Sequence, residues 1–288
     1  MIASLACALL ALAVAALWLP GSWLGRPAWQ WLTVVALGAA WGSGVIRAEG
    51  ACVAYLWFLA LQVWTIDGGA PGRRRALEAG VVLVAAAALM AHAMPGFANP
   101  RLIDAVRFTP DAVPFSLYVN FDKTLLALGL LGLAHARVAS AREWRRVFVE
   151  VAKVAPLAIA VVLAGSFALG YVRWAPKLPV EAPLWLAVNL LFTCTAEEAL
   201  FRGFVQGGLR RAWERRRGGN WAALAVAAVL FGLAHAAGGW KYVALATVAG
   251  AGYGWVYERT QRVEASVLAH WALNALHFFL FTYPALAR

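Results

Sequence analysis

T-C-T-A-E-E-A-L-F-R-G-F-V-Q-G-G, residues Thr193–Gly208, decides how the rest of the chain is read. It sets Glu197, Glu198 and Arg202 between two apolar runs, Leu184–Phe192 and Phe201–Leu209, that together are long enough for a membrane span. A charged side chain at the centre of a bilayer costs about 2.5–3.5 kcal/mol on insertion scales, so three of them cost about 8–10 kcal/mol if nothing compensates. A span that keeps such groups must pair them or set them along a wet cavity. An ionisable group in that position is read as a functional site.

Composition fixes the setting. The 288 residues are 63% hydrophobic and 14% charged, against about 45–50% and about 25% in soluble domains. With a mean hydropathy of +0.70, the sequence predicts a polytopic membrane protein. Alanine and leucine dominate and no ~10-residue alternating strands occur, so the fold class is all-α and not a barrel. The net charge of +11 is read as basic cytoplasmic loops rather than as nucleic-acid binding. Cys7, Cys52 and Cys194 all lie in apolar runs without metal-ligand spacing, which predicts no disulfide framework. No basic segment precedes the first apolar run, so it reads as a first span rather than a signal peptide.

A span takes about 20 apolar residues. Ten segments qualify or come close: Ile2–Leu19, Ala28–Ile46, Ala51–Ile66, Ala76–Ala93, Lys123–Ala136, Phe148–Val172, Leu184–Leu209, Trp221–Ala236, Tyr242–Tyr257 and Ala265–Tyr283. Four arginine clusters then fall on one side: Arg73–Arg75, Arg137–Arg146, Arg210–Arg217 and Arg259–Arg262. Ten spans place that side in the cytoplasm and both termini outside. The polar segment Met94–Asn120, with four prolines, reads as an external loop whose aromatic residues rest on the membrane interface. The expected division is an N-terminal membrane region, 1–145, and a catalytic membrane domain, 146–288. The expected location is a multi-pass position in a bacterial inner membrane.

Polar groups in the last four spans carry the chemistry. Glu198 and Arg202 are four apart, share a helix face and can pair. Glu197 lies about 100° around the helix from Glu198 and off that face. His235 ends the run Phe231-Gly232-Leu233-Ala234-His235, and His270 and Asn274 sit one turn apart in the last span, with His277 extending their face. A carboxylate and a histidine can share the deprotonation of water. A second histidine and an amide can donate hydrogen bonds to a developing oxyanion. No serine or cysteine occupies these positions, which favours direct attack by water. At 1.5 Å per residue from the basic loops, His235 lies about 22 Å along its span and His270 about 9 Å along its own. A lone histidine in a span is commonly only a helix-to-helix hydrogen-bonding group, and His92 and His135 are read that way. Gly203, Gly207, Gly208, Gly250 and Gly254 are read as helix-packing positions.

E-E-A-L-F-R (197–202), F-G-L-A-H (231–235) and H-W-A-L-N (270–274) resemble, in order, the EExxxR, FxxxH and HxxxN motifs of the CAAX-protease and bacteriocin-processing family. These are the relatives of the Rce-type prenyl-protein endopeptidases. The resemblance covers roughly 183–281; residues 1–145 carry none of the motifs. It implies an intramembrane glutamic endopeptidase without a cofactor. In it Glu197 and His235 would activate water, His270 and Asn274 would form the oxyanion hole, and Glu198 and Arg202 would support them. The implied partners are the lipid bilayer and a membrane-anchored protein or peptide, such as one with a C-terminal sorting tail. Two other readings of the same residues stand beside it. One is a metalloprotease with zinc on His235, His270 and Glu197, which chelators would inhibit. The other is a transporter or assembly factor that cuts nothing.

Overall fold

The structure, a computed structural model, describes residues 2–66 and 72–287. Helix accounts for 71% of it. Among the described residues ten helices occupy the ten apolar segments: α1 (Ile2–Trp18), α2 (Ala28–Gly42), α3 (Ala48–Ile66), α4 (Arg73–Met90), α5 (Phe121–Gly129), α6 (Ala141–Ala168), α7 (Ala182–Ala212), α8 (Gly219–Leu233), α9 (Trp240–Thr260) and α10 (Val263–Leu280). The fold is therefore an all-α bundle. Three helices, α3, α6 and α7, are by themselves long and apolar enough to cross a membrane. With the domain match given below, they make the protein an integral membrane protein.

The segment expected to be an irregular external loop is ordered. It contains the strands β3 (Arg101–Val106) and β4 (Phe115–Tyr118), which form a two-stranded hairpin. A second small hairpin, β1 (Ser22–Trp23) with β2 (Arg26–Pro27), turns the chain between α1 and α2. Phe108 and Phe115 of the long segment pack, partly buried, against Phe278 and Tyr283, with ring centroids 5.0–6.1 Å apart. The turn chemistry of four prolines does not reveal that contact.

The chain forms two compact units. The first comprises Met1–Pro100, Tyr118–Arg137 and Leu191–Leu200. Its packing is close enough to exclude a methyl group at one crossing: a Cβ on Gly129 would lie 2.4 Å from Trp57 Nε1, and that indole donates to the Leu125 carbonyl at 2.9 Å. Of the two histidines read as helix-to-helix hydrogen-bonding groups, His92 bonds across to another segment, while His135 bonds a carbonyl of its own segment. His92 Nδ1 lies 2.7 Å from Asp122 Oδ2, and His135 Nδ1 lies 3.0 Å from the Leu130 carbonyl.

The second unit comprises Arg101–Leu117, Val138–Leu190 and Phe201–Arg288. Ser140 caps α6 by accepting from the Glu143 N–H at 3.2 Å. Glu143 reaches back to the Ala139 N–H and also takes a bond from Arg262. The starts of α6 and α10 are joined in this way. The main chain after α10 is extended and pairs on both sides: Thr282 N–H donates to Arg173, Leu286 N–H to Tyr171, and Ala287 N–H to Asp111. Glycine lets α8 and α9 approach. A Cβ on Gly232 would stand 1.9 Å from Thr247 Oγ1, and one on Gly250 3.2 Å from the Ala228 Cα. Gly207 and Gly254 are similarly crowded, as read from the sequence; Gly208 is the exception, with open space around it.

Candidate active site

α7 does not run as a plain α-helix. A π-helical stretch, Asn189–Cys194, precedes the four-residue α turn Thr195–Glu198, and a second, Ala199–Gln206, follows it. Such bulges widen the backbone and recur at functional sites. Glu197 and Glu198 sit in the turn between them, both buried, with Glu198 fully so.

Arg202, one turn on, is also fully buried. Its Nη2 donates to the Gly250 carbonyl at 2.8 Å, and its guanidinium lies 4.6 Å from the Phe231 ring centroid and 5.4 Å from that of Tyr253. Aromatic faces thus solvate part of this cation where water does not reach. The same face continues beyond the motif. Gln206 donates to the Gly254 carbonyl and to Glu258, both at 3.0 Å, and Arg210 meets Glu258 at 3.2 Å. Sequence reasoning stopped at Arg202; the four-residue step from Glu198 through Arg202 leads on to Gln206 and Arg210.

His235 lies just beyond the last residue of α8. Its Nδ1 lies 2.7 Å from the Phe231 carbonyl. A carbonyl only accepts, so Nδ1 is the donor in this contact. The ring stands edge-on to Tyr242, centroids 5.0 Å apart. His270, buried in the middle of α10, stacks on Tyr253 at 4.6 Å and 16°, and meets the edge of Phe231 at 5.6 Å. Asn274, one turn further, donates from Nδ2 to Asn189 Oδ1 at 3.3 Å. His277 Nε2 faces the Thr282 carbonyl at 3.2 Å.

Phe231, His235, Tyr242, Tyr253, His270, Asn274 and His277 line one cavity of about 60 Å³. A water needs about 10–15 Å³ on this measure, so the cavity has room for water. His235 and His270, counted at unequal distances along α8 and α10, both line this cavity. The structure thus brings together His235, His270 and Asn274 in the second unit, and Arg202 touches the same aromatic residues. Glu197 and Glu198 belong to the first unit. Among the described residues no three His, Cys, Asp or Glu side chains gather as a metal ion would require.

Compared with models of known families, residues 179–276 match the type II CAAX prenyl endopeptidase Rce1-like family. The chain carries an Rce1-like domain. All three motifs, 197–202, 231–235 and 270–274, fall inside the match. No curated protein and no solved structure matches the chain. The Rce1-like domain is a protease domain, a peptide hydrolase acting on protein or peptide in a membrane setting.

Several lining groups of the Rce1-like domain were not singled out in the sequence. The tyrosines Tyr242 and Tyr253 belong to no motif, and nothing in the α9 run W-K-Y-V-A-L-A-T-V-A-G-A-G-Y separates a lining tyrosine from a packing one; Asn189, which bonds the lining Asn274, belongs to none either. Outside the spans, Lys177 bonds the carbonyls of Phe281 and Ala175. Burial pushes its ammonium down to about 8, with Asp111 partly opposing.

Proposed function

We propose that the protein is a glutamic intramembrane endopeptidase of a bacterial inner membrane, cutting a membrane-anchored protein or peptide with water activated by Glu197 and His235. The observation that carries this is the convergence of His235, His270 and Asn274 on one water-sized cavity inside a protease domain. In this reading the Glu197 carboxylate and Nε2 of a neutral His235 ring share the uptake of the proton of a water. The hydroxide adds to the scissile carbonyl carbon. The oxygen that becomes negative accepts from a His270 N–H and the Asn274 amide. Collapse breaks the C–N bond, and the departing amine takes up the proton the water gave. Glu198 and Arg202 support the turn that holds Glu197.

The test is a comparison of protein termini in membranes from cells carrying wild type and Glu197→Gln. A set of termini present only with the wild type is expected. Identical termini in the two would leave the transporter or assembly reading. Activity lost in a strong chelator and restored by zinc would make the protein a metalloprotease.

A further inference from the structure

We propose that Tyr253, on the motif-free helix α9, is the positioning residue that fixes the catalytic orientation of His270. The inference rests on the reading of His270 as an oxyanion donor.

Tyr253 holds α10 at two points. Its ring lies nearly parallel to the His270 imidazole, 16° apart with centroids at 4.6 Å. Its backbone carbonyl accepts from Ser266 Oγ at 2.9 Å. Ser266 is one turn before His270 and shares its helix face. The second contact therefore fixes where the His270 backbone stands, and the first fixes the plane of its ring. Phe231 closes another side of the imidazole edge-on at 5.6 Å and 84°. A five-membered ring on a short side chain turns readily about its last bond unless its faces are covered. Here one face rests on a phenol that is itself buried and held edge-on to Phe231 at 5.9 Å.

An oxyanion donor works only where its N–H meets the oxygen of the transition state, and an error of about 10–20° already loosens such a site. A side chain that only filled the core would be replaceable by an apolar residue of similar size. A side chain that orients His270 by stacking needs a flat face at this position. That difference separates the two roles, because phenylalanine keeps the face and leucine or methionine does not.

The experiment uses the purified full-length chain and an internally quenched fluorogenic peptide spanning the cleavage site found from the terminal comparison. Tyr253→Phe should turn over within about threefold of wild type. Tyr253→Leu should lose about 10- to 100-fold in kcat with KM unchanged, since complete removal of an oxyanion donor costs about 10²–10³. A second measurement does not depend on turnover. With ring-labelled histidine, five residues give a spectrum assignable by single substitutions. The His270 Cε1–H signal, shielded by the stacked ring, should move downfield in Tyr253→Leu and hold its position in Tyr253→Phe. Tyr253→Met, close in volume, serves if the leucine variant does not accumulate. A kcat for Tyr253→Leu or Tyr253→Met within threefold of wild type, a loss confined to KM, or an unmoved His270 signal would overturn the proposal. If Glu197→Gln still cleaves, the reading of the site fails whatever Tyr253 does. If Glu197→Gln is inactive while Tyr253→Leu keeps its kcat, only the positioning role fails.

Discussion

Two polar nests lie in or beside the apolar helices, and each contains a histidine and an asparagine. In the first unit, Asp122 is almost fully buried and accepts from Asn99 at 3.1 Å and from the Lys123 N–H at 2.9 Å, with His92 Nδ1 at 2.7 Å. Asn99 uses its other end to accept from the Phe121 N–H at 2.8 Å. The groups bond one another and close the start of α5. In the second unit, His235 bonds one carbonyl through Nδ1, and Asn274 bonds one amide; both still line a cavity with His270. A polar residue in a span is thus a weak sign of function by itself. Space for a reactant beside the polar groups is the stronger sign, and it separates these two nests where residue type does not.

The largest effects should come from the second nest and the carboxylate proposed to work with it. Glu197→Gln keeps the shape of the side chain and removes its basicity, so the protein should accumulate normally and cleave nothing measurable. His235→Ala should be comparably inactive, because it removes the Nε2 lone pair. Steady-state cleavage by purified variants checks both, and a Glu197→Gln enzyme that still cuts removes Glu197 from the mechanism. Asn274→Ala takes away one donor to the oxyanion, a loss of about 10²–10³ in kcat. It should remain measurably active. Unchanged kcat in that variant would make Asn274 a structural partner of Asn189 and bring the two nests closer in kind.

The sequence carried much of this, for reasons that differ by residue. Apolar runs marked all ten helices because a backbone among apolar side chains must satisfy its own hydrogen bonds, and that demand is local. Glu197, Glu198, Arg202, His235, His270 and Asn274 stood out because polar groups are rare in such runs. Tyr253, Tyr242 and Asn189 did not, since their roles depend on which helices meet, and tyrosine in a span is equally at home in a core. The β3–β4 hairpin was hidden for the same reason: Phe108 and Phe115 find their partners, Phe278 and Tyr283, more than 150 positions away. Asp122 and His92 could be noticed as polar, but their pairing could not be read without the fold.

The first nest should answer in stability and leave catalysis alone. Asp122→Ala removes the acceptor of Asn99, His92 and the Lys123 N–H. A buried donor left without its partner costs about 1–3 kcal/mol. Asp122 also lies in the first turn of α5, where a carboxylate favours the helix dipole. A loss of about 2–3 kcal/mol is expected, lowering the thermal midpoint by about 4–12 °C at about 2–4 °C per kcal/mol. Turnover per folded molecule should match wild type. A fall in kcat at full occupancy of the folded state would mean that this nest reaches the chemistry after all.

The smallest effect is expected at His92, and its sign depends on the backbone. His92 has φ of +56°, a left-handed conformation, just past the end of α4. Its N–H donates to Leu89 and the Ala93 N–H to Ala88, the paired bonds of a helix end where glycine is the usual residue. Any residue with a Cβ pays about 1–2 kcal/mol there relative to its ordinary conformation. The bond to Asp122 offsets that cost, by about 1 kcal/mol for a side chain 41% exposed. His92→Gly loses the bond and is relieved of the strain, so its stability should fall within about 0.5 kcal/mol of wild type. His92→Ala loses the bond and keeps the strain, and should be about 1 kcal/mol less stable than His92→Gly. Chemical unfolding of the two variants measures the difference. Equal stability would show that the left-handed turn relaxes in the alanine variant. Wild-type stability in His92→Gly combined with lost cleavage would break the comparison, because a histidine bonded to its neighbours would then be one the reaction needs.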